Sequence, residues 1–407
     1  KNLHIPEGKV LQVGILFSGI CFGLAESKPG EFADTIYSMN LDSAISQPQG
    51  AGSPANLDIL QRRLRTSIPA SELKEWLKLN PARSALDCGI NWLSIMLGAL
   101  CLAAGNAGVM PAVTLTAAFF LIGFGQYGLF ILGHDGLHGC LHSSLSVNDR
   151  ICRWLIYSPM LMGFEDGRRN HLDHHKRLGH EDDPDRYLHR LSDKNSFLSL
   201  LSFCLGLKTF IKTVLKVSPL GSIKANQNLK ATSTGVEEIE PESQEAYADL
   251  PQSRTCKSTQ KSQVLLAYVR SRLSVALWQL LILGIMFFGL HLPLWYYLSH
   301  WIGPIYVCVF LADEIRAFCD HAVPVLPDSK ADVKRLVSFT PNLLEKIIFA
   351  PHSMHLHAEH HLFPRVPYYN REKAYRKLKD SPDITFHKSY IGFLAQLFAS
   401  LPVPEED

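Results

Sequence analysis

Residues 89–133 read GINWLSIMLGALCLAAGNAGVMPAVTLTAAFFLIGFGQYGLFILG and contain no Asp, Glu, Lys or Arg. A second charge-free stretch covers residues 274–312. Each stretch is long enough for two membrane passes of about 20 residues, and we expect turns at Asn106–Pro111 and His291–Pro293. A buried hairpin of a soluble protein is the alternative, but uncharged runs of this length disfavour it. The sequence therefore predicts four transmembrane helices, at about 89–107, 111–133, 274–291 and 294–312.

The basic residues predict how these helices cross the membrane. Neither hairpin tip carries Lys or Arg, whereas residues 134–273 and 313–407 carry most of the 40 basic residues. By the positive-inside rule, both hairpins enter from the cytosolic (or stromal) side and return to it. The predicted fold is therefore an all-α, multi-pass integral membrane protein with two hairpins and a helical cap on that side. The net charge of +2 gives no reason to expect a nucleic-acid partner.

Three short boxes contain eight histidines at helical spacing. Residues three and four apart lie on one face of a helix, and imidazole is a favoured ligand of iron, zinc and copper. Eight such ligands exceed the needs of one tetrahedral zinc but suit two metal ions, and the predicted topology places every box on the same side of the membrane. The eight are His134 and His138, then His171, His174 and His175, and finally His357, His360 and His361.

Other residues near the boxes are further candidates. Asp320-His321 follows the fourth predicted helix, and we take His321 as a ninth ligand. Metal-bound histidines usually donate their second N–H to a carboxylate or carbonyl group. Carboxylates that could accept this bond, or could simply be charges on a helix surface, are Asp135, Asp173, Asp320 and Glu359. Whether His142 and His355 are ligands, donors to ligands or neither is open.

The donor set narrows the identity of the metal. The chain has no HExxH motif of zinc proteases and no ExxH pairs of soluble di-iron carboxylate proteins. Its nine cysteines form no CxxC, which disfavours zinc ribbons and iron–sulfur clusters. An all-imidazole site with open positions fits iron and dioxygen chemistry best. We therefore expect two ferrous ions, with O₂ as a co-substrate.

The boxes resemble those of the integral-membrane fatty acid desaturase superfamily over roughly Leu86–Pro382. The resemblance rests on HDGLH at 134–138, RRNHLDHH at 168–175 followed by EDDPD at 181–185, and HAEHHLFPRVP at 357–367. It implies a four-helix membrane core, a cytosolic cap, a di-iron centre and O₂-dependent removal of two hydrogens from an acyl chain. The chain has no HPGG signature of a fused cytochrome b5 domain, so a separate donor such as ferredoxin or cytochrome b5 would supply the electrons.

Two other functions remain open at this point. The same superfamily includes carotenoid and other lipid hydroxylases and ketolases, whose boxes differ only slightly. His355 stands where many relatives have asparagine, which leaves the ligands near one iron open. A membrane metal-binding or transport protein is a remote alternative, because transporters usually place ionisable residues inside their spans.

The remaining segments give a provisional division of the chain. Residues 1–38 include an apolar run of 16 residues, Val10–Ala25, and are either an extension without a role or a fifth, peripheral membrane segment. Residues 39–86 form a cytosolic or interfacial segment, 87–382 the membrane domain and 383–407 a C-terminal tail. Within the membrane domain, a polar insertion at about 218–263 is predicted to be disordered because it is rich in Ser, Gln, Glu and Pro.

Overall fold

The computed structural model describes residues 57–206, 209–210, 259–324, 326, 328 and 333–401, which form a mostly helical protein. The predicted extension at 1–38 lies outside the described residues. So does the predicted insertion, except for residues 259–263, which are helical rather than disordered because they form the first turns of a long helix.

Two short helices lead into a long helical hairpin. Helices α1 (Leu57–Ser67) and α2 (Ala70–Trp76) precede α3 (Pro81–Asn106) and α4 (Pro111–Leu137). Helix α3 begins before the charge-free stretch, because Pro81 takes its first position and the Asn80 side chain accepts a hydrogen bond from a backbone N–H of its first turn. The two helices of the hairpin are joined through Gly108, whose φ of 87° favours glycine.

Small residues allow the two helices of this hairpin to approach closely. A Cβ atom at Gly98 would lie 2.7 Å from Cγ1 of Ile122, and one at Gly128 would lie 2.0 Å from Oδ1 of Asn91. Small residues at helix contacts are characteristic of membrane helices, which associate mainly through van der Waals packing.

The second apolar region is also helical. Helix α9 (Thr259–Gly284) continues as π-helical turns through Ile285–Gly289, and α10 (Trp295–Tyr297) leads through π-helical turns at Leu298–Ile302 and Ile305–Leu311 into α11 (Ala312–His321). The fourth predicted span, 294–312, is therefore part of a mixed α and π helix. Within the described ranges, three helical segments are long and apolar enough to cross a membrane: Ala70–Asn106, Pro111–Leu137 and Arg272–Gly289.

The outer faces of the long helices are apolar. On α3, Leu93, Met96 and Leu100 are more than half exposed, and on α9 Leu280 is 66% exposed. Apolar surface of this extent on long helices is expected where a protein meets lipid.

The remaining elements are shorter. They include one feature that the all-α prediction missed: β1 (Val337–Phe339) pairs in parallel with β2 (Thr385–His387), with Val337 opposite Thr385. The shorter helices are α5 (Leu145–Ile151), α6 (Phe164–Arg177), α7 (Arg186–His189), α8 (Phe197–Cys204), α12 (Leu343–Phe349), α13 (His357–Leu362), α14 (Arg371–Leu378) and α15 (Tyr390–Ser400).

The segment predicted as a C-terminal tail is folded as far as residue 401. It contains β2 and α15, and Tyr390 of α15 is fully buried, with its hydroxyl donating to Oδ1 of Asp320 at 3.3 Å. The apolar face of α15 packs against α11, so this segment shares a core with the residues before it.

Candidate metal centre

The first group of buried histidines forms where the end of α4 meets α6 and α13. The ligand atoms of His138, His171, His175 and His360 all lie within 4.8 Å of one another. The Nε2 atoms of His138 and His171 are 2.8 Å apart, those of His171 and His175 are 3.1 Å apart, and those of His175 and His360 are 3.0 Å apart. The buried ring of His134 lies 4.1 Å from the ring of His171.

These contacts fit a shared cation better than a set of hydrogen bonds. A neutral imidazole nitrogen carries either a proton or a lone pair, so Nε2 of His171 cannot accept from one neighbour and donate to the other. A cation among these atoms would take a lone pair from each. Imidazole nitrogens bind an ion such as zinc at about 2.0–2.1 Å, which places two of them at right angles about 3.0 Å apart. The donor set therefore suits a metal ion.

A second buried group is formed by α6, the end of α11 and α13. The ligand atoms of His174, His321 and His361 lie within 4.8 Å of one another. Nε2 of His357 lies 3.0 Å from Nε2 of His321 and 3.1 Å from Nε2 of His361. The structure thus brings all nine histidines predicted as ligands into two clusters.

The two groups are adjacent and share two helices. His174 and His175 are neighbours on α6 but join different groups, and the same is true of His360 and His361 on α13. The rings of His175 and His361 stack with their centroids 4.1 Å apart. Two ions held by these groups would therefore be close to each other.

Hydrogen bonds to Nδ1 orient two rings of the second group. Nδ1 of His174 lies 3.0 Å from Oδ1 of buried Asp183, and Nδ1 of His321 donates to the Arg335 carbonyl at 3.1 Å. A proton held at Nδ1 leaves the lone pair on Nε2, as a metal ligand requires. Asp183 also accepts the backbone N–H groups of Gly179, at 3.3 Å, and Asp185, at 2.9 Å, which hold it in place.

Asp183 and His189, which lie beside the second group, were not among the predicted site residues. The ring of His189 lies 4.5 Å from that of His321, and its Nδ1 lies 3.9 Å from Oδ2 of Asp183. The run of carboxylates that begins at Glu181, shortly after the second box, was a signal for Asp183. A single histidine at the end of a four-residue helix gives no comparable signal.

A buried ion pair supports the first group. Nη2 of Arg371 lies 3.0 Å from Nδ1 of His360, and Arg371 forms an ion pair with Asp135. The backbone N–H of Tyr368 donates to Oδ2 of Asp135 at 2.6 Å. Asp135, which follows the box histidine His134 in sequence, therefore holds Arg371 in place beside His360 of the first group.

Two other predicted carboxylates are buried, but neither forms a short bond to an imidazole. Asp320 accepts from Arg316 at 2.8 Å, while its Oδ2 lies 3.7 Å from Nδ1 of His357. Glu359 accepts from the hydroxyl of Ser338 at 2.5 Å. Burial raises the pKa of both acids to about 7.

Three predicted candidates lie outside both groups. Asp173 is only partly buried. Nδ1 of partly buried His142 accepts from the backbone N–H of Ser144 at 2.9 Å. His355 is buried, and burial together with the charges of Lys346 and Arg371 lowers its pKa to about 3.

Burial also keeps most of the clustered rings neutral. It lowers the pKa of His138, His171, His175, His321, His357, His360 and His361 well below 6.5. Neutral imidazole is the form that binds metal. At His174 burial also acts to lower the pKa, but the hydrogen bond and charge of Asp183 outweigh it and raise the pKa.

The chain is similar to known proteins over the region that contains these groups. The family model for fatty acid desaturase matches residues 110–393, which contain all nine clustered histidines. A relative, the sn-1 acyl-lipid omega-3 desaturase (ferredoxin) of Nostoc sp. (strain 36), is 24% identical over 267 residues, covering 65% of this chain and 67% of its own. The match spans most of the chain and includes both histidine groups, and the chain belongs to the fatty acid desaturase family.

Proposed function

We propose that the protein is an O₂-dependent desaturase that introduces a double bond into an acyl chain of a membrane lipid. Two ferrous ions, held by the two histidine groups, would supply the activation of O₂. The observation that carries the proposal is the pair of adjacent, buried, all-imidazole groups, whose Nε2 atoms approach one another at 2.8–3.1 Å.

The proposed reaction is balanced by an external electron donor. The acyl chain loses two hydrogen atoms, the donor supplies two electrons, and two protons come from water, so that one O₂ becomes two molecules of water. The relative from Nostoc is named as a ferredoxin enzyme, and we propose a donor of the ferredoxin kind here.

The protein's own residues would orient the ligands and exclude water. Asp183 and the Arg335 carbonyl hold His174 and His321 in one tautomer, and Arg371 lies against His360. The nine rings are each less than 10% exposed. Enclosure of this kind protects reactive species from side reactions with solvent.

We also propose the topology of two hairpins that enter from the cytosolic or stromal side. Helix α4 has 27 residues, so it is about 40 Å long. His134 lies near its C-terminal end, whereas the turn at Gly108 precedes its N-terminal end. The histidine groups and this hairpin tip would therefore lie at opposite faces of the bilayer.

The proposal is tested by product analysis. The protein is expressed with ferredoxin and a ferredoxin reductase in cells that are fed deuterated saturated acyl chains. We expect mass spectrometry to detect acyl chains with one new double bond, in an O₂-dependent reaction. We expect the purified protein to contain about two iron ions per chain, because each of the two groups has enough imidazole ligands for one ion.

Other outcomes discriminate among the alternatives. Hydroxylated or keto products would indicate a lipid hydroxylase or ketolase activity instead of desaturation. Oxidised carotenoids beside unchanged acyl chains would indicate the same. Iron binding without O₂-dependent turnover of any lipid would favour the metal-binding or transport alternative. The His360→Ala variant is the matched control, since background desaturation in the host would persist in it.

A further inference from the structure

Helix α1 lies directly on the last histidine box. The Gln61 side chain donates to the backbone carbonyl of His361 at 2.7 Å. On the same helix, Leu60 is 3% exposed and packs in one core cluster with the fully buried Leu362. The surface of α1 is thus separated from an imidazole of the second group by one hydrogen bond and one residue.

Helices α1 and α14 bury side chains in one core cluster, which includes Leu60, Ala374 and Leu378. Arg63 of α1 forms an ion pair with Asp383, which follows α14 in sequence. We call the exposed side of these two helices, with the residues that pair with it, the α1–α14 surface.

Cations predominate on this surface. Three of them pair with carboxylates: Arg63 with Asp383, Arg376 with Glu372, and Lys377 with Glu72. Four further cations, on these helices or directly after α14, form no ion pair with any residue that the structure describes, and Asp380, the neighbour of Lys379 in sequence, is an exposed carboxylate. The four are Arg62, Arg65, Lys373 and Lys379, of which Arg65 is half-buried and the others are exposed.

The position of α13 argues that this surface faces away from the bilayer. The His360 ring of α13 lies 4.5 Å from the ring of His134 at the end of α4. Gln61 of α1 instead contacts the backbone of α13. Helix α13 therefore lies between α1 and the membrane helix, and an occupant of the α1–α14 surface approaches the site from the soluble phase.

We propose that the α1–α14 surface is the docking site of an acidic, soluble electron-carrier protein of the iron–sulfur kind, an inference that rests on the proposed function. Complementary charge steers such a partner and orients it at the surface. Docking there would bring the iron–sulfur cluster of the partner next to Gln61. From Gln61, the path of an electron to the second group passes through one hydrogen bond and the His361 residue.

The test measures binding, so that it does not depend on turnover. The protein is reconstituted in nanodiscs of neutral lipid, and its Kd for a plant-type [2Fe–2S] ferredoxin is measured at low ionic strength. In the double variant Arg62→Glu/Lys373→Glu we expect the Kd to rise at least about tenfold, and the difference to vanish near 1 M salt, where the Debye length is about 3 Å. The matched control is Arg150→Glu, which reverses an exposed charge on α5 and should leave the Kd unchanged.

Iron content and Tm of the double variant should equal those of the parent, which separates lost docking from misfolding. An unchanged Kd in the double variant, or an equal loss in Arg150→Glu, would overturn the proposal. An unchanged Kd together with weaker binding to vesicles containing anionic lipid would assign the surface to the membrane instead. Failure of the proposed function is distinguishable, because the parent would then form no unsaturated product even when dithionite replaces the donor.

Discussion

Replacing Asp183 by Ala should weaken iron binding at the second histidine group and leave the first group intact. The carboxylate is fully buried and accepts the Nδ1–H of His174 at 3.0 Å, as well as two backbone N–H groups. Removing the partner that orients a metal-bound histidine costs about 10–100-fold in metal affinity, which is roughly 1.4–2.8 kcal/mol. A hydrogen bond to a charged group contributes about 1.5–3 kcal/mol, so two independent considerations give the same range.

The assay is an anaerobic titration of the iron-free protein with Fe²⁺ in competition with a chelator. We expect two binding phases in the parent, of which one weakens by this factor in Asp183→Ala. Asp183→Asn is the matched control: it keeps an oxygen acceptor of the same shape, and its loss of affinity should be smaller. Equal iron affinity in Asp183→Ala and the parent would refute the reasoning, and so would equal weakening of both phases in a variant whose Tm is unchanged.

Other substitutions and one deletion should have effects that follow from the burial and position of the residues changed. His174→Ala and His360→Ala should each abolish product formation and lower the iron content without reducing the amount of protein in membranes, as measured by mass spectrometry and by fractionation. His142→Ala should retain most of the activity, because this ring lies outside both groups; complete inactivation would mean that the ligand set is larger. Burial raises the pKa of Glu314 to about 7, so its neutral form is favoured in the fold and stability falls as pH rises from about 4.5 to 7. Glu314→Gln should therefore have a higher Tm than the parent at pH 8 and a similar Tm at pH 4.5. Deletion of residues 220–258, which stops short of α9, should leave assembled, active protein, as the polarity of that segment predicts, and loss of folded protein on gel filtration would contradict this.

The site was largely predictable because helical periodicity is local. The spacing of His171, His174 and His175 determines which rings share a face of α6, and the same holds for the last box. The same periodicity predicts that the boxes are helical and requires no information about long-range contacts. That His321 joins the second group followed only from its position after an apolar segment, and the structure brings its Nε2 to 3.0 Å from that of His357.

The parts that were missed depend on long-range contacts. Asp183 reaches His174 through a loop without periodicity, and Arg371 reaches Asp135 across more than 200 positions of the chain. The parallel pairing of β1 with β2 joins two three-residue strands, which are too short to give an alternating pattern. In the fourth apolar segment, a charge-free sequence predicts a helix but does not distinguish α-helical from π-helical turns.

The order of the boxes along the chain has a consequence for biosynthesis. His134 and His361 are about 230 positions apart, so at about 5–20 residues per second the ribosome completes the last box roughly 10–45 s after the first. Strand β2, which pairs with β1 beside α13, is synthesised later still. The histidines of the first two boxes are therefore synthesised well before their partners, and under the proposed function iron would bind late in assembly, once the last box has been made.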